Sequence, residues 1–471
     1  MGQPGVGAPA ILGVPVEFAL FATTLLGIAL FFRHTLKIAL VGLVAITIWK
    51  LRFGGFPEGP GLPGLVGHLA TEWVRLANLF GLLLGFALLE RHFDKSRVPL
   101  LLPRYLPNDW KGAFTLLVIV FVLSAFLDNI AAALIGGALA QSLFRHRVHI
   151  GYVAAIVAAA NAGGVGSVVG DTTTTMMWIG GVDPLHVLSA YIGGVVALVI
   201  CGIPASRQQQ RYSPIWTNGH EGTKPDWSRI GIVVAMLAAA IGTNVLTNTV
   251  SGHRAAPFPF IGAAIWVPLL WSVPLRRPDW ECLPAAFGGT VFLLALVLSA
   301  SMMPVEHLPA PSWQSALGLG SISATFDNIP LTALALKQGG YDWGVLAYAV
   351  GFGGSMLWFG SSAGVALSNM YPEARSTRRW IQHGWPVAVA YVAGFTVLIW
   401  IHGWHPELPT RQIETPNERP QPVGPISGSG ARRPVMRVFG ASRADLPTDR
   451  PRLLPKADAL PGSADYHPLE G

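Results

Sequence analysis

Charge is what this sequence has least of. Only 12% of its 471 residues are Asp, Glu, Lys or Arg, against about 25% in an ordinary soluble domain. So little charge excludes a water-covered globular surface. Hydrophobic residues make up 51% of the chain and recur in runs of about 20, which reads as a polytopic, all-α membrane protein. Cysteine is also scarce. Cys201 and Cys282 lie at or beside separate apolar segments with no metal-ligand spacing, which argues against a disulfide framework and leaves inert thiols. No basic stretch precedes the first apolar segment, so no cleavable signal peptide is expected. The net charge of +7 does not indicate nucleic-acid binding, because the basic residues sit in short loops where they act as topology signals.

Apolar segments fall at roughly 10–32, 36–49, 64–90, 111–145, 149–180, 185–204, 228–250, 257–273, 282–303, 312–338, 343–370 and 384–402. From about residue 404 to 471 the chain turns rich in Pro, Gly and charge and is expected to be a disordered tail. Two segments are interrupted by an Asp-Asn pair: "VLSAFLDNIAAALIGGALA" within 111–145, and "SISATFDNIPLTALALKQ" within 312–338. The first is too long for one span of about 20 residues and short for two. In the second, Pro330 follows the pair and forbids a continuous helix. Each is expected to be a re-entrant hairpin of two half-length helices meeting at a polar tip, an arrangement tolerated only where protein or a watery cavity surrounds the tip.

Loop charge supports this reading. Rich basic clusters occur at Arg33/Lys37, Arg91 to Lys111, Arg145/Arg147, Arg207 to Arg229, Arg276/Arg277 and Arg375 to Arg379, whereas the remaining loops carry only Lys50/Arg52, Arg254 and Lys337. Counting both hairpins as returning to their own side places every rich cluster on one face, the cytoplasmic one, with the N-terminus and tail outside. The halves then match. "SAFLDNIAAALIGGALA" pairs with "SATFDNIPLTALALKQ", and the Gly-rich break "GGVGSVVGDTTTT" pairs with "GGSMLWFGSSAGVA". Five crossings per half is an odd number, so the second copy is upside down. The expected organisation is a first repeat at 1–204 (hairpin 111–145, broken helix 149–180), a linker at 205–227 and an inverted repeat at 228–403 (hairpin 312–338, broken helix 343–370). Inverted repeats with broken helices are characteristic of secondary transporters, with the site where the copies meet.

The break 163–175 concentrates oxygen inside the apolar region. Gly163, Gly164, Gly166 and Gly170 permit unwinding, and Asp171 with Thr172 to Thr175 surrounds the loosened carbonyls. Carboxylate, hydroxyl and carbonyl oxygens suit a small hard cation. Soft cysteine and imidazole ligands are absent from the tips and breaks.

These four stretches, "LDNI", "GSVVGDTTTTMMWI", "DNIPL" and "GGSMLWFGSSAGVA", in this order, resemble the NhaD-type sodium/proton antiporters. That family lies within a superfamily that also holds citrate and dicarboxylate carriers and arsenite permeases. The resemblance spans roughly residues 10–403. It implies a homodimer in the cell (inner) membrane, each protomer having a scaffold and a transport part that slides as an elevator, and no cofactor beyond the transported Na⁺ (or Li⁺) and H⁺. Carried over, the ion site comprises Asp128, Asn129, Asp171, Thr172, Thr173, Asp327, Asn328, Ser361 and Ser362. Asp128, Asp171 and Asp327 are the expected Na⁺ ligands. Where the first break offers Gly170-Asp171-Thr172, the second offers Gly360-Ser361-Ser362, so only one break carries a carboxylate. The tips read Asp-Asn-Ile rather than the Ser-Asn-Thr of the carboxylate carriers, and their charge would repel citrate.

Plainer roles compete at each position. Asp128 and Asp327 can cap the half-helices that follow, and Asp171 the helix from Thr172. Ser361 and Ser362 can serve tight packing, and Thr174 and Thr175 can satisfy local backbone. Glu17, the Glu72/Arg75 pair and an interfacial His68 read as structural, and the tryptophans as an aromatic belt. Two other functions remain as rivals: an organic-anion or arsenite carrier, and, remotely, an intramembrane aspartyl protease, which would require a Gly-x-Gly-Asp pattern where Val168-Val169-Gly170 precedes Asp171.

Overall fold

The computed structural model describes residues 10–11, 14–31, 34–98, 101, 106–216, 224–251 and 258–408. The expected tail lies outside the described residues from 409 onward, as does the centre of the expected linker, 217–223. Apart from a minimal strand pair, Ala10–Ile11 with Val14–Pro15, the described chain is helical. It opens with α1 (Val16–Leu30), α2 (Thr35–Trp49) and the 35-residue α3 (Gly61–Lys95). Then come α4 (Trp110–Ser124) and α5 (Asn129–Leu143), α6 (Ile150–Gly164) and α7 (Thr172–Ile179), a short α8 (Pro184–Val187) and α9 (Ala190–Tyr212). The second half holds α10 (Trp227–Ser251), α11 (Phe260–Ala264), α12 (Trp266–Trp271) and α13 (Leu283–Ser301). It closes with α14 (Trp313–Ser323) and α15 (Asn328–Gln338), α16 (Trp343–Gly353) and α17 (Ser362–Met370), and α18 (Thr377–His402). The order helix–break–helix, helix–break–helix, long helix thus occurs in both halves.

Among the described residues, five stretches are long and apolar enough to cross a membrane: Gly61–Lys95, Pro184–Tyr212, Trp227–Asn244, Trp280–Ser301 and Thr377–His402. Shorter apolar helices accompany them. A 15-residue helix such as α4 rises only about 22 Å, less than the ~30 Å hydrocarbon layer. This is a multi-pass membrane protein. The helices stop at both Asp-Asn pairs for local reasons. Asp128 and Asp327 take extended backbone angles (φ −54°, ψ 145° and φ −54°, ψ 143°) at the starts of α5 and α15. Pro330 lies in the first turn of α15, where its missing N–H has no helical partner to lose. α4 and α5 fold back on one another around Asp128, so that a Cβ added at Gly136 would strike Val120.

The glycines of the first break work differently from the sequence-based expectation. None of Gly163, Gly164, Gly166 or Gly170 has positive φ, so unwinding does not depend on their conformational freedom. Space is what they supply. A Cβ at Gly163 would collide with the carbonyl of Phe121, and one at Gly170 with that of Ser124. The second half repeats the device, with Gly353 against the Gly320 carbonyl and Gly360 against that of Ala324. Each break is therefore pressed backbone-to-backbone onto the C-terminal end of the first helix of the preceding pair, α4 or α14.

Packing separates the molecule into two cores. One is built from α4, α5, α6, α9, α14, α16 and α18, with the small-residue helix α6 buried on all sides at its centre. The other is built from α1, α2, α3, α10, α11, α12 and α13. α7 and α15 form the wall between them. Met177 and Leu331 face the first core, while Met176, Trp178, Ile329 and Leu334 face the second. Not every tryptophan belongs to a belt. Trp271 and Trp400 are exposed, but Trp178, Trp343 and Trp380 are fully buried, and the last two donate to the carbonyls of Glu407 and Met356.

Candidate functional site

Both helix breaks and both Asp-Asn tips converge at the wall between the cores. Asp171 caps α7, accepting from the Thr173 amide at 3.3 Å and from the Thr173 hydroxyl at 2.5 Å. Ser361 caps α17 in the same way, accepting from the Gly364 amide at 3.2 Å. The tips behave otherwise. Asp128 and Asp327 stand at the N-cap positions of α5 and α15, but neither makes a geometrically regular side-chain cap hydrogen bond. Asp327 Oδ2 accepts from the Ser362 hydroxyl at 2.8 Å. Among the described residues, Asp128 Oδ1, Asp327 Oδ1 and the Asn328 amide nitrogen are buried without a hydrogen-bond partner. Buried polar atoms are normally satisfied, and two carboxylate oxygens plus an amide left open in one region point to a ligand.

A residue that sequence reasoning passed over holds the site together. Asn161, fully buried near the end of α6, accepts from the Asn129 amide at 3.2 Å and donates to the hydroxyls of Ser355 at 2.9 Å and Ser361 at 3.1 Å. Asn129 also lies 3.4 Å from Asp171 Oδ1. A hydrogen-bonded chain therefore runs from Asp171 through Asn129 and Asn161 to Ser355 and Ser361 in the second break, and the next residue, Ser362, separately bonds Asp327. Ten residues beyond Asn161 comes Asp171, and ten beyond Gly351 comes Ser361. An added Cβ at Gly351 would lie 3.3 Å from Asp171 Oδ2. Asn161 thus faces the second break while Gly351 makes room for the carboxylate of the first.

Asp128, Asn129, Asp171, Thr172, Asn328 and Ser362 line a cavity of about 220 Å³, closed on the other side by α3 and α13. Asp327, Ser361 and Ser362 line a second of about 300 Å³, against α1 and α13. Ser362 lines both. The carboxylates of Asp128, Asp171 and Asp327 are near enough for their charges to act on one another. Glu90 on α3 is a third carboxylate in the first cavity, beside Asp128 and Asp171. The sequence reading missed it because it adjoins Arg91 at the end of an apolar run and looks like a loop residue. Thr172 lines the cavity, while Thr173 is buried against Asp171. Thr174 and Thr175 donate to the carbonyls of Ser167, Val168 and Asp171. Those threonines take up much of the carbonyl oxygen expected to be loose, which leaves side-chain carboxylates as the open ligands.

Elsewhere, Arg75 and Glu72 pair at 2.9 Å, as their spacing suggested. His68 is buried in the protein: it is 3% exposed and bonds Ser301 Oγ at 2.9 Å and Glu58 at 3.3 Å. Its place near the start of a long helix hid a partner 233 residues away.

No family model matches the chain. Among curated proteins it is 27% identical to sodium/proton antiporter 1 of Arabidopsis thaliana, over 79% of this chain and 70% of that protein. It is 27% identical to sodium/proton antiporter 2 of the same plant, over 53% of this chain and 67% of that protein. With the Na⁺/H⁺ antiporter NhaD of Vibrio parahaemolyticus it shares 24% identity over 53% of this chain and 71% of the relative. Through these matches, and through the two tips and two breaks that the fold gathers at one wall, the chain is related to the NhaD-type sodium/proton antiporters.

Proposed function

We propose that this protein is a secondary transporter, not an enzyme, that exchanges Na⁺ (or Li⁺) for H⁺ across a cell (inner) membrane. The observation that carries this reading is the set of carboxylates at the wall between the cores: Asp128, Asp171 and Asp327, with two buried oxygens lacking partners beside cavities of about 220 and 300 Å³. A carboxylate holds a proton or a sodium ion but not both, so loading one cargo releases the other. Oxygen-only ligands suit Na⁺. An organic anion would meet three negative charges.

The recurring order of elements and the loop charges support two inverted repeats, with α4–α5 and α14–α15 as re-entrant hairpins entering from opposite faces. The separate cores support an elevator. The first core would carry the tips and breaks, the second would be the scaffold, and α7 and α15 would form the sliding face. Glu90 and its neighbours on α3, with the early turns of α13, lie near Arg91 and Arg276/Arg277, which favours an inward-facing arrangement. A homodimer formed through the scaffold completes the proposal.

The test is cation-dependent dissipation of a pH gradient in everted vesicles across Na⁺, Li⁺ and K⁺. Asp128→Asn and Asp327→Asn should each abolish it. Full exchange in both variants would overturn the mechanism, and exchange with K⁺ alone would overturn the cargo.

A further inference from the structure

A second cluster of ligating groups lies away from the ion site, where α18 ends and α16 begins. His402 is the last residue of α18. Gly403, at φ +82°, then turns the chain back on itself, a conformation that suits glycine. The returning strand is pinned by backbone: the Glu407 amide donates to the Tyr341 carbonyl at 3.0 Å, and the Trp343 indole donates to the Glu407 carbonyl at 3.0 Å. This brings His405 beside Asp342, the capping residue of α16. Asp342 Oδ1 accepts from the Val345 amide at 3.0 Å and Oδ2 from the His405 amide at 2.9 Å. Oδ2 also lies 3.5 Å from His402 Nε2 and 4.0 Å from His405 Nδ1. One ligating atom from each of the three residues lies within 4.8 Å of the others.

The Asp342 side chain is only 3% exposed, and its ion-pair partners among the described residues are these two imidazoles alone. A buried carboxylate without a fixed cation is costly. When both rings are neutral, a divalent ion would supply the missing charge. The geometry suits one. Bonds of ~2.0–2.2 Å in a tetrahedral shell put ligand atoms about 3.3–3.6 Å apart, so the two Asp342–imidazole distances need to close by less than about 1 Å and the widest pair by at most about 1.5 Å. His405, with a side chain 65% exposed, is free to do so. The backbone amides on Asp342 already orient its carboxylate, as outer partners do in metal sites. A cavity of about 270 Å³ leaves room for a fourth ligand and is also lined by the His186–Glu407 pair.

We propose that Asp342, His402 and His405 bind a borderline transition-metal dication, with Zn²⁺ as the reference ion, and that the metal clasps the end of α18 to the start of α16. Two imidazoles and one carboxylate form a set that Na⁺ does not favour and that Zn²⁺, Co²⁺, Ni²⁺ and Cu²⁺ do. The clasp is thus chemically distinct from the cargo site.

The experiment uses the full chain in detergent micelles, stripped with EDTA and titrated with ZnCl₂ at pH 7.5 by calorimetry, with Co²⁺ absorption as a second readout. Expected are one Zn²⁺ per chain, no displacement by excess NaCl and a four-coordinate Co²⁺ spectrum. Affinity should fall at least tenfold in His402→Ala, His405→Ala and Asp342→Asn. His383→Ala, which alters a separate histidine pair with His149, should bind as the parent does. Asp128→Asn should also retain Zn²⁺ binding, so failure of the antiport reading would be seen separately. If Asp342→Asn does not fold, the exposed His405 variant decides. Absence of saturable binding, unchanged affinity in His405→Ala, or histidine variants that change only the pH dependence of melting without metal would overturn the proposal in favour of a proton-only contact.

Discussion

Replacing Asn161 by alanine tests the central geometric claim, that one amide joins the two breaks. Asn161 is fully buried and makes three side-chain hydrogen bonds, to Asn129, Ser355 and Ser361. At about 0.5–1.5 kcal/mol net for each, the loss is about 1.5–4.5 kcal/mol. If all of it falls on the ion-bound state, half-saturating Na⁺ rises between about tenfold and roughly a thousandfold, at 1.4 kcal/mol per decade. Ser355→Ala removes only one of the three bonds and should cost about 1 kcal/mol, roughly fivefold. Because Ser355 acts here through Asn161, the double variant should be no worse than Asn161→Ala alone; the coupling energy then equals the Ser355 effect with opposite sign. The assay is Na⁺-dependent dissipation of a pH gradient in vesicles over a range of Na⁺ concentrations, normalised to folded protein. Wild-type half-saturation in Asn161→Ala, or simple additivity of the two substitutions, would refute the reasoning.

Other expectations follow from single contacts. Lys337, at the end of α15, donates to the carbonyls of Ser301 and Met303, both at 2.5 Å; Lys337→Met should lower thermal stability by about 1.5–3 kcal/mol per lost charge-assisted bond, and an unchanged melting temperature would contradict this. Gly170→Val should prevent the first break from docking, because its Cβ meets the Ser124 carbonyl; overpacking of about 1–3 kcal/mol is expected. Gly288→Ala, with nothing within 4 Å of the new Cβ, should fold normally, and equal yields for the two variants would count against the close-approach argument. The Arg276 guanidinium holds the Asp226 carboxyl below the usual aspartate range, so its stabilising effect is present above that range and is lost as pH falls through the lowered value. Melting curves of wild type and Arg276→Gln should therefore differ at neutral pH and converge in acid; a constant offset down to low pH would exclude this linkage.

Much of the site was legible because its chemistry is local. Asp128, Asp171 and Asp327 attract notice as carboxylates inside apolar runs, and the helix interruptions follow from Asp at a helix start and Pro330 in a first turn. Glu90, Asn161 and Ser355 were not legible. Glu90 sits beside an arginine at the end of a run, and an asparagine among alanines or a serine among glycines has several ordinary uses. His68 shows the same limit, since its partner Ser301 is distant in sequence.

The sequence by itself determined the class of the molecule, the positions where its helices stop and which residues offer oxygen to an ion, because hydropathy, capping preference and ligand chemistry belong to short stretches of chain. Only the tertiary structure decided that Asn161 meets Ser355 and Ser361, 194 and 200 residues further on, and that the break glycines serve close approach rather than backbone freedom. It also decided that His402 and His405 come to rest beside Asp342. Such pairings are set by how two cores and the wall between them pack, and packing depends on the whole set of contacts, which no local pattern encodes.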